Sequence, residues 1–289
     1  MKVAIIGGAG KMGQWFARFL VAEGKEVVLV DRSQAKLEAA GRRLGVSVSA
    51  SIEAAGQADA VLIAVPVDHF EGVVRQLSPH THSNQIVLDI TSVKVLPVAV
   101  MHRHIKKGLV LGTHPVFGPG ARSVAHQNFV VTPTNQEETV LAERVKGYLE
   151  TRGARVQLMT PEEHDDIMSV ILGLAHYIAI VAADTLTNFE RLKQMEAIGG
   201  ITYKVLLTLV ESVVSEDPEL YAALQMNLPG LPQIQQRFQK TAKTWAKLVK
   251  DKDRPEFVKR MKALRSRLEA NNPDFGRAYD NMYRIAEGL

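Results

Sequence analysis

The chain has 289 residues, 35 Lys+Arg against 31 Asp+Glu for a formal charge of +4, and 46% apolar positions. That composition belongs to a folded protein of one large or two ordinary domains, and it excludes disordered, collagen-like and disulfide-knot architectures. With no cysteine there is no disulfide, thiolate nucleophile or Cys-ligated metal, which fits a reducing, cytoplasmic compartment.

From the N-terminus, an apolar run too short for a signal peptide reads as a strand at 2–6. Further short, β-branched runs at 26–30, 60–65, 86–90, 109–112, 129–132 and 155–158 alternate with helical stretches. Most are continuously apolar, so both sheet faces should be covered, as in a doubly wound parallel α/β sheet. Thr160-Pro161-Glu162-Glu163 then makes a capping-box helix start, and the remainder reads as helix. Breaks fall near Gly199-Gly200, Asp217-Pro218, Pro229-Gly230, Pro255 and Pro273. The expected domains are therefore 1–159 and 160–289. The longest apolar stretch, 167–183, contains Ser169, Gly173, His176 and Tyr177 and is expected to be a buried helix rather than a membrane span. Residues 237–267 hold twelve Lys/Arg, but at helical spacing among apolar residues and with no interleaved stacking platform. A solvated helix face is expected there, not a nucleic-acid surface.

Gly8-Ala9-Gly10-Lys11-Met12-Gly13 is a GxGxxG that directly follows the first strand and opens a helix. Such a turn lets a pyrophosphate approach the backbone at the positive end of the helix. The second strand ends at Asp31, where an acid can bind an adenosine ribose. Asp31 would repel a 2′-phosphate and favours NAD; Arg32 could instead stack on adenine or pair with the extra phosphate of NADP. Val65 and Pro66 either lie along the cofactor or simply terminate their strand.

Two more strand ends gather polar residues where a nicotinamide should arrive. One runs into Thr91-Ser92-Val93-Lys94, the other into Thr113-His114-Pro115 and a Gly/Pro-rich loop. Hydride removal from a carbinol needs an acceptor for the hydroxyl proton, and imidazole suits neutrality. His114, read as a loop residue held by Pro115, is the candidate base or else a bracing histidine. Ser92 either bonds the hydroxyl or caps the next helix. Lys94 either attracts an anionic substrate or faces solvent. His176, mid-helix among apolar residues, is a core histidine or a pocket residue. No HExxH or carboxylate-histidine cluster has ligand spacing, so no metal is expected.

Together Gly7–Gly13, Thr91-Ser92-Val93-Lys94, Gly112-Thr113-His114-Pro115-Val116-Phe117-Gly118-Pro119, Ile201-Thr202-Tyr203-Lys204 and Glu216-Asp217-Pro218-Glu219-Leu220-Tyr221 resemble the prephenate dehydrogenase family. Residues 164–176 resemble the first helix of that family's dimerisation domain. The resemblance implies a Rossmann-type doubly wound sheet followed by an all-helical dimerisation domain, and a cytoplasmic homodimer joined through the latter. It implies oxidative decarboxylation of prephenate to 4-hydroxyphenylpyruvate in tyrosine biosynthesis, with His114 taking the hydroxyl proton and Ser92 orienting that hydroxyl. His176, Tyr203, Lys204 and Lys94 would meet the carboxylate-bearing substrate. Where enteric members carry arginine after the tyrosine, this chain has Lys204, a point charge instead of a fork. Arg122 or a partner residue could share that carboxylate, and arogenate or 4-amino-4-deoxyprephenate are alternative substrates. A fused mutase or regulatory module is not expected. The remaining alternatives are a 3-hydroxy acid dehydrogenase and a non-catalytic dinucleotide sensor.

Overall fold

Continuously apolar strands at the centre of one sheet, covered on both sides, set the architecture of the first 168 residues. In the computed structural model, which describes residues 1–288, the strands are β1 (Lys2–Ile6), β2 (Glu26–Val30), β3 (Ser47–Ser49), β4 (Ala60–Ile63), β5 (Ile86–Asp89), β6 (Leu109–Pro115), β7 (Asn128–Thr132) and β8 (Arg155–Leu158). They form one sheet in the order β3-β2-β1-β4-β5-β6-β7-β8. All neighbours are parallel except β6 and β7. The connecting helices are α1 (Lys11–Ala22), α2 (Gln34–Leu44), α3 (Val67–Leu77), α4 (Val95–His104) and α5 (Gln136–Glu150). Successive strand residues point to opposite faces, so Ile5 joins a core with Trp15, Phe16 and Leu141, and Ile6 joins one with Phe70, Val74 and Met101. Helices α1 and α5 thus cover one face and α3 and α4 the other, which explains why the strands read as unbroken apolar runs.

Three expectations are corrected. β3 was not expected, because a three-residue strand with two serines carries no periodic signal. The strands expected at 60–65 and 86–90 stop at Ile63 and Asp89. β6 continues three residues beyond 112, because the antiparallel β7 pairs Thr113 with Val131, His114 with Val130 and Pro115 with Phe129. His114 is therefore a strand residue, not a loop residue, and Pro115 is tolerated as the last residue of the strand.

The chain divides into two compact units, Met1–Met168 with Met226–Leu228, and Ser169–Gln225 with Pro229–Leu289. The helix α6 (Pro161–Met168) thus groups with the sheet unit by its contacts, while the capping box marks where the helical run begins. The box itself is complete: Thr160 N–H donates to Glu163 Oε2 (2.9 Å) and Glu163 N–H donates to Thr160 Oγ1 (3.2 Å). What holds α6 to the sheet unit is its inward side, where His164, Asp165 and Met168 are buried.

The second unit is helical throughout its described residues. A π-helical turn (Ser169–Leu174) leads into α7 (Ala175–Thr187), α8 (Leu192–Ile198), α9 (Ile201–Val214), α10 (Pro218–Asn227), α11 (Leu231–Lys250), α12 (Arg254–Asn271) and α13 (Ala278–Glu287). Five breaks fall near the Gly and Pro positions read from the sequence; the one at 188–191, between α7 and α8, holds neither residue and was not expected. The buried helix expected at 167–183 is corrected: Val170 and Ile171 are each 50% exposed and Val181 40%. The run Pro161–Thr187 has the length and composition of a bilayer span, with a mean hydropathy of 1.9 in its most apolar window. The basic surface of α11 and α12 is laced by i,i+4 pairs, Lys247–Asp251, Arg260–Glu256 and Arg265–Glu269, as a solvated helix face should be.

Candidate active site

The turn between β1 and α1 is built for close approach. Gly7 has φ +80, and a Cβ on Gly13 would stand 2.4 Å from the Gly7 carbonyl oxygen, so neither position accepts a larger residue without backbone movement. Gly7 lies outside the GxGxxG reading, whose spacing starts at Gly8. The N-cap of α1 is Gly10, which brings no side chain to the helix start, and the first turn holds no acid. The positive end of α1, with Lys11, Met12 and Gly13 in its first turn, is thus left to an anionic ligand. Asp31, just after β2, accepts Ala9 N–H at Oδ2 (3.2 Å) and Ser33 N–H at Oδ1 (3.1 Å). Its carboxylate is therefore locked beside the glycine turn, and Arg32 next to it is exposed. Pro66 caps α3 and is exposed, with Val65 half-buried before it. These residues fit a dinucleotide: glycine backbone for the pyrophosphate, a fixed acid for the ribose.

His114 lies three residues beyond Leu111 on β6 and is only 3% exposed. Its Nδ1 is 2.8 Å from His164 Nε2, and His164 Nδ1 is 2.7 Å from Asp165 Oδ1. Asp165 also accepts the main-chain N–H groups of Lys94 (2.7 Å, at Oδ1) and Val95 (3.0 Å, at Oδ2), at the N-terminal end of α4. A carboxylate with such partners is acceptor only. His164 must then carry its proton on Nδ1 and present a lone pair at Nε2. His114 in turn carries its proton on Nδ1, and its Nε2 is left as a proton acceptor. Burial pushes the His114 imidazole well below its ordinary 6.5, with the His164 and Lys94 charges acting in the same direction. Burial also lowers His164, opposed by its bond to Asp165. The segment after β6 is pinned by Phe117 against Trp15, 4.8 Å between ring centroids, and by the Trp15 indole donating to the Ala121 carbonyl (2.6 Å).

The expectation for Lys94 is corrected. Its side chain is 0% exposed, and its ammonium pairs with Asp89 and donates to the Thr113 carbonyl (2.7 Å) and to Thr91 Oγ1 (3.2 Å). An ammonium saturated by buried partners is not on offer to a substrate or to solvent. Ser92 is half-buried in the turn between β5 and α4. The register of Asp89 opposite Gly112 makes this turn and the His114 end of β6 leave the same sheet edge. His164 and Asp165 were missed as site residues, since they were read only as a pair without ligand spacing and as the start of a helix resembling the family's dimerisation domain. The available signal was a His-Asp pair one turn after a capping box: neighbours 100° apart on a helix can both face inward.

In the helical unit, His176 packs edge-on against Tyr221, 4.9 Å between centroids, and burial lowers its imidazole. Its buried Nδ1 and the buried hydroxyl oxygen of Tyr203 have no hydrogen-bond partner. Lys204 is exposed, as is Arg122 in the sheet unit.

Residues 16–158 match the family model described as "Prephenate dehydrogenase, nucleotide-binding domain", and residues 160–263 that described as "Prephenate dehydrogenase, dimerization domain". A probable arogenate/prephenate dehydrogenase of Methanocaldococcus jannaschii is 34% identical over 266 residues, covering 91% of this chain; the chain spans 60% of that relative's length. Two solved structures share the fold. One is a prephenate dehydrogenase from Aquifex aeolicus in complex with hydroxyphenyl propionate and NAD+, at TM-score 0.77 and 22% identity, covering 94% of this chain and 98% of its own. The other is an arogenate dehydrogenase from Synechocystis, at TM-score 0.72 and 20% identity, covering 94% and 100%. With one family model over residues 16–158 and the other over residues 160–263, which between them hold the buried histidine relay and most of the helical second unit, the chain belongs to the prephenate dehydrogenase family.

Proposed function

We propose that this chain is an NAD-dependent oxidoreductase that oxidatively decarboxylates prephenate to 4-hydroxyphenylpyruvate in tyrosine biosynthesis. The observation that carries the reading is the His114–His164–Asp165 relay, which leaves His114 neutral and with its acceptor lone pair on Nε2. That is the state a general base needs before it meets a hydroxyl proton.

Gly8, Gly10, Lys11, Met12 and Gly13 hold the pyrophosphate, Asp31 the adenosine ribose, and Val65 and Pro66 flank the dinucleotide. When bound, the nicotinamide supplies the hydride acceptor. Ser92 orients the substrate hydroxyl, and His114 takes its proton at Nε2 while the ring carboxylate leaves as CO2. The imidazolium so formed is steadied at Nδ1 by His164, whose own proton is held by Asp165. Burial that lowers the His114 pKa favours handing the proton on afterwards. Aromatisation of the product supplies much of the driving force, so alignment is the main task left to the protein. His176 and Tyr203 are assigned to substrate recognition, supported by their two unpartnered buried polar atoms. Exposed Lys204 is assigned to the side-chain carboxylate.

The half-exposed apolar side of 167–181 supports a homodimer formed through the helical domain. A second reading, arogenate as substrate, is favoured by Lys204 standing where a bidentate arginine would grip a keto acid. The test crosses prephenate, arogenate and 4-amino-4-deoxyprephenate against NAD and NADP while nicotinamide reduction is followed. Highest kcat/KM for prephenate with NAD is expected. Preference for arogenate installs the second reading, and no reduction by any pair rejects both.

A further inference from the structure

Contacts around His114 close into a ring. The Lys94 ammonium donates to the carbonyl of Thr113, one peptide before His114 (2.7 Å). The Lys94 main-chain N–H donates to Asp165 Oδ1 (2.7 Å), Asp165 holds His164, and His164 holds His114. One residue thus grips the strand that carries the imidazole with its side chain, and the pair that orients the imidazole with its backbone. Its ammonium also ties β5 to β6, because its counter-ion Asp89 is the last residue of β5. Both side chains are 0% exposed. A buried ion pair contributes little to stability over a well-packed apolar pair, so its place beside the candidate base calls for another role.

We infer that Lys94 is a positioning residue for His114: its ammonium clamps the ends of β5 and β6 together and its main-chain N–H holds the Asp165–His164 pair that orients the imidazole. The inference rests on His114 as the proton acceptor. His164 from α6 touches His114, β7 opposes it with the uncharged Val130, and the Lys94 charge is near enough to act on the ring; Asp165 and Asp89 stand one contact behind, on His164 and on Lys94. Lys94 is the one lysine among them. Its charge opposes protonation of His114, in addition to the effect of burial.

The test is Lys94→Met/Asp89→Asn, which removes both charges together and leaves no buried ion unpaired. Lys94→Gln is the second variant, since it keeps a donor for the Thr113 carbonyl while removing the positive charge and leaving the Asp89 carboxylate without its counter-ion. Two midpoints are read: the His114 titration by NMR, and the acid limb of kcat/KM. In Lys94→Gln both are expected to move up by about half a pH unit or more; in the double variant, where a positive and a negative charge leave together, they hold, and in both variants kcat/KM falls about tenfold or more with the dissociation constant for NAD unchanged. Midpoints unchanged in folded Lys94→Gln, or kcat/KM unchanged in the folded double variant, overturn the inference. If the NMR midpoint rises and the acid limb stays, Lys94 acts on His114 as inferred, and it is the assignment of His114 as base that fails.

Discussion

His114 Nδ1 stands 2.8 Å from His164 Nε2, and the contact has only one consistent protonation pattern because His164 is committed to Asp165 on its other side. The carboxylate sets the tautomer of two rings in series. Asp165→Asn offers an N–H in place of an acceptor lone pair, so both imidazoles can reverse and leave His114 Nε2 protonated. Turnover is expected to fall by about a hundred- to ten-thousandfold, as when a base is held in the wrong tautomer, with NAD affinity kept. Steady-state kinetics beside a nucleotide titration check this.

The direction of the His114 shift fixes the pH response. An imidazole pushed below 6.5 by burial is neutral throughout the neutral range, so kcat/KM is expected to stay level there and fall only at a midpoint below 6.5. Stability follows the same protons. Below about 6.5 the unfolded chain binds protons that buried His114 and His164 refuse, so stability declines as pH falls from there towards the lowered folded values. Thermal melts between pH 7.5 and about 5 should show this decline, and His114→Gln/His164→Gln should flatten it.

At the glycine turn the obstacle to substitution is backbone, not a yielding side chain. A Cβ on residue 13 would lie 2.4 Å from the Gly7 carbonyl oxygen and 2.9 Å from Gly8 Cα. Gly13→Ala is expected to cost about 1–3 kcal/mol in overpacking and to weaken NAD binding at least about tenfold. Denaturation and fluorescence titration would show both.

The helical domain makes a solution prediction. Val170 and Ile171 on the π turn and Val181 on α7 are 40–50% exposed, and a dimer would take them out of water. Light scattering is expected to give a dimer at micromolar concentration. Ile171→Glu/Val181→Glu should give a folded monomer, since an interface rarely tolerates unpaired buried charge.

How much of this could be read from the sequence depended on whether the signal was local. β1, α1 and the glycine turn were legible because apolar continuity, glycine spacing and Asp31 all lie within 31 residues. The capping box at Thr160 was legible for the same reason, and both of its hydrogen bonds are present. The extension of β6 was not, because it depends on pairing with β7, whose strand begins at Asn128. Lys94 was misread because its partners, Asp89 and Thr113, are brought to it by sheet register rather than by helix or strand period. The same holds for His164, which meets His114 from 50 residues away. Exposure of 167–183 could not be read from hydropathy, which does not tell a core helix from one awaiting a partner.

The most direct measurement is His114→Ala, with NAD affinity and turnover determined on the same preparation. Loss of turnover by about two to four orders of magnitude with the NAD dissociation constant unchanged is the result predicted for a lost general base. Turnover that survives the substitution would contradict the account.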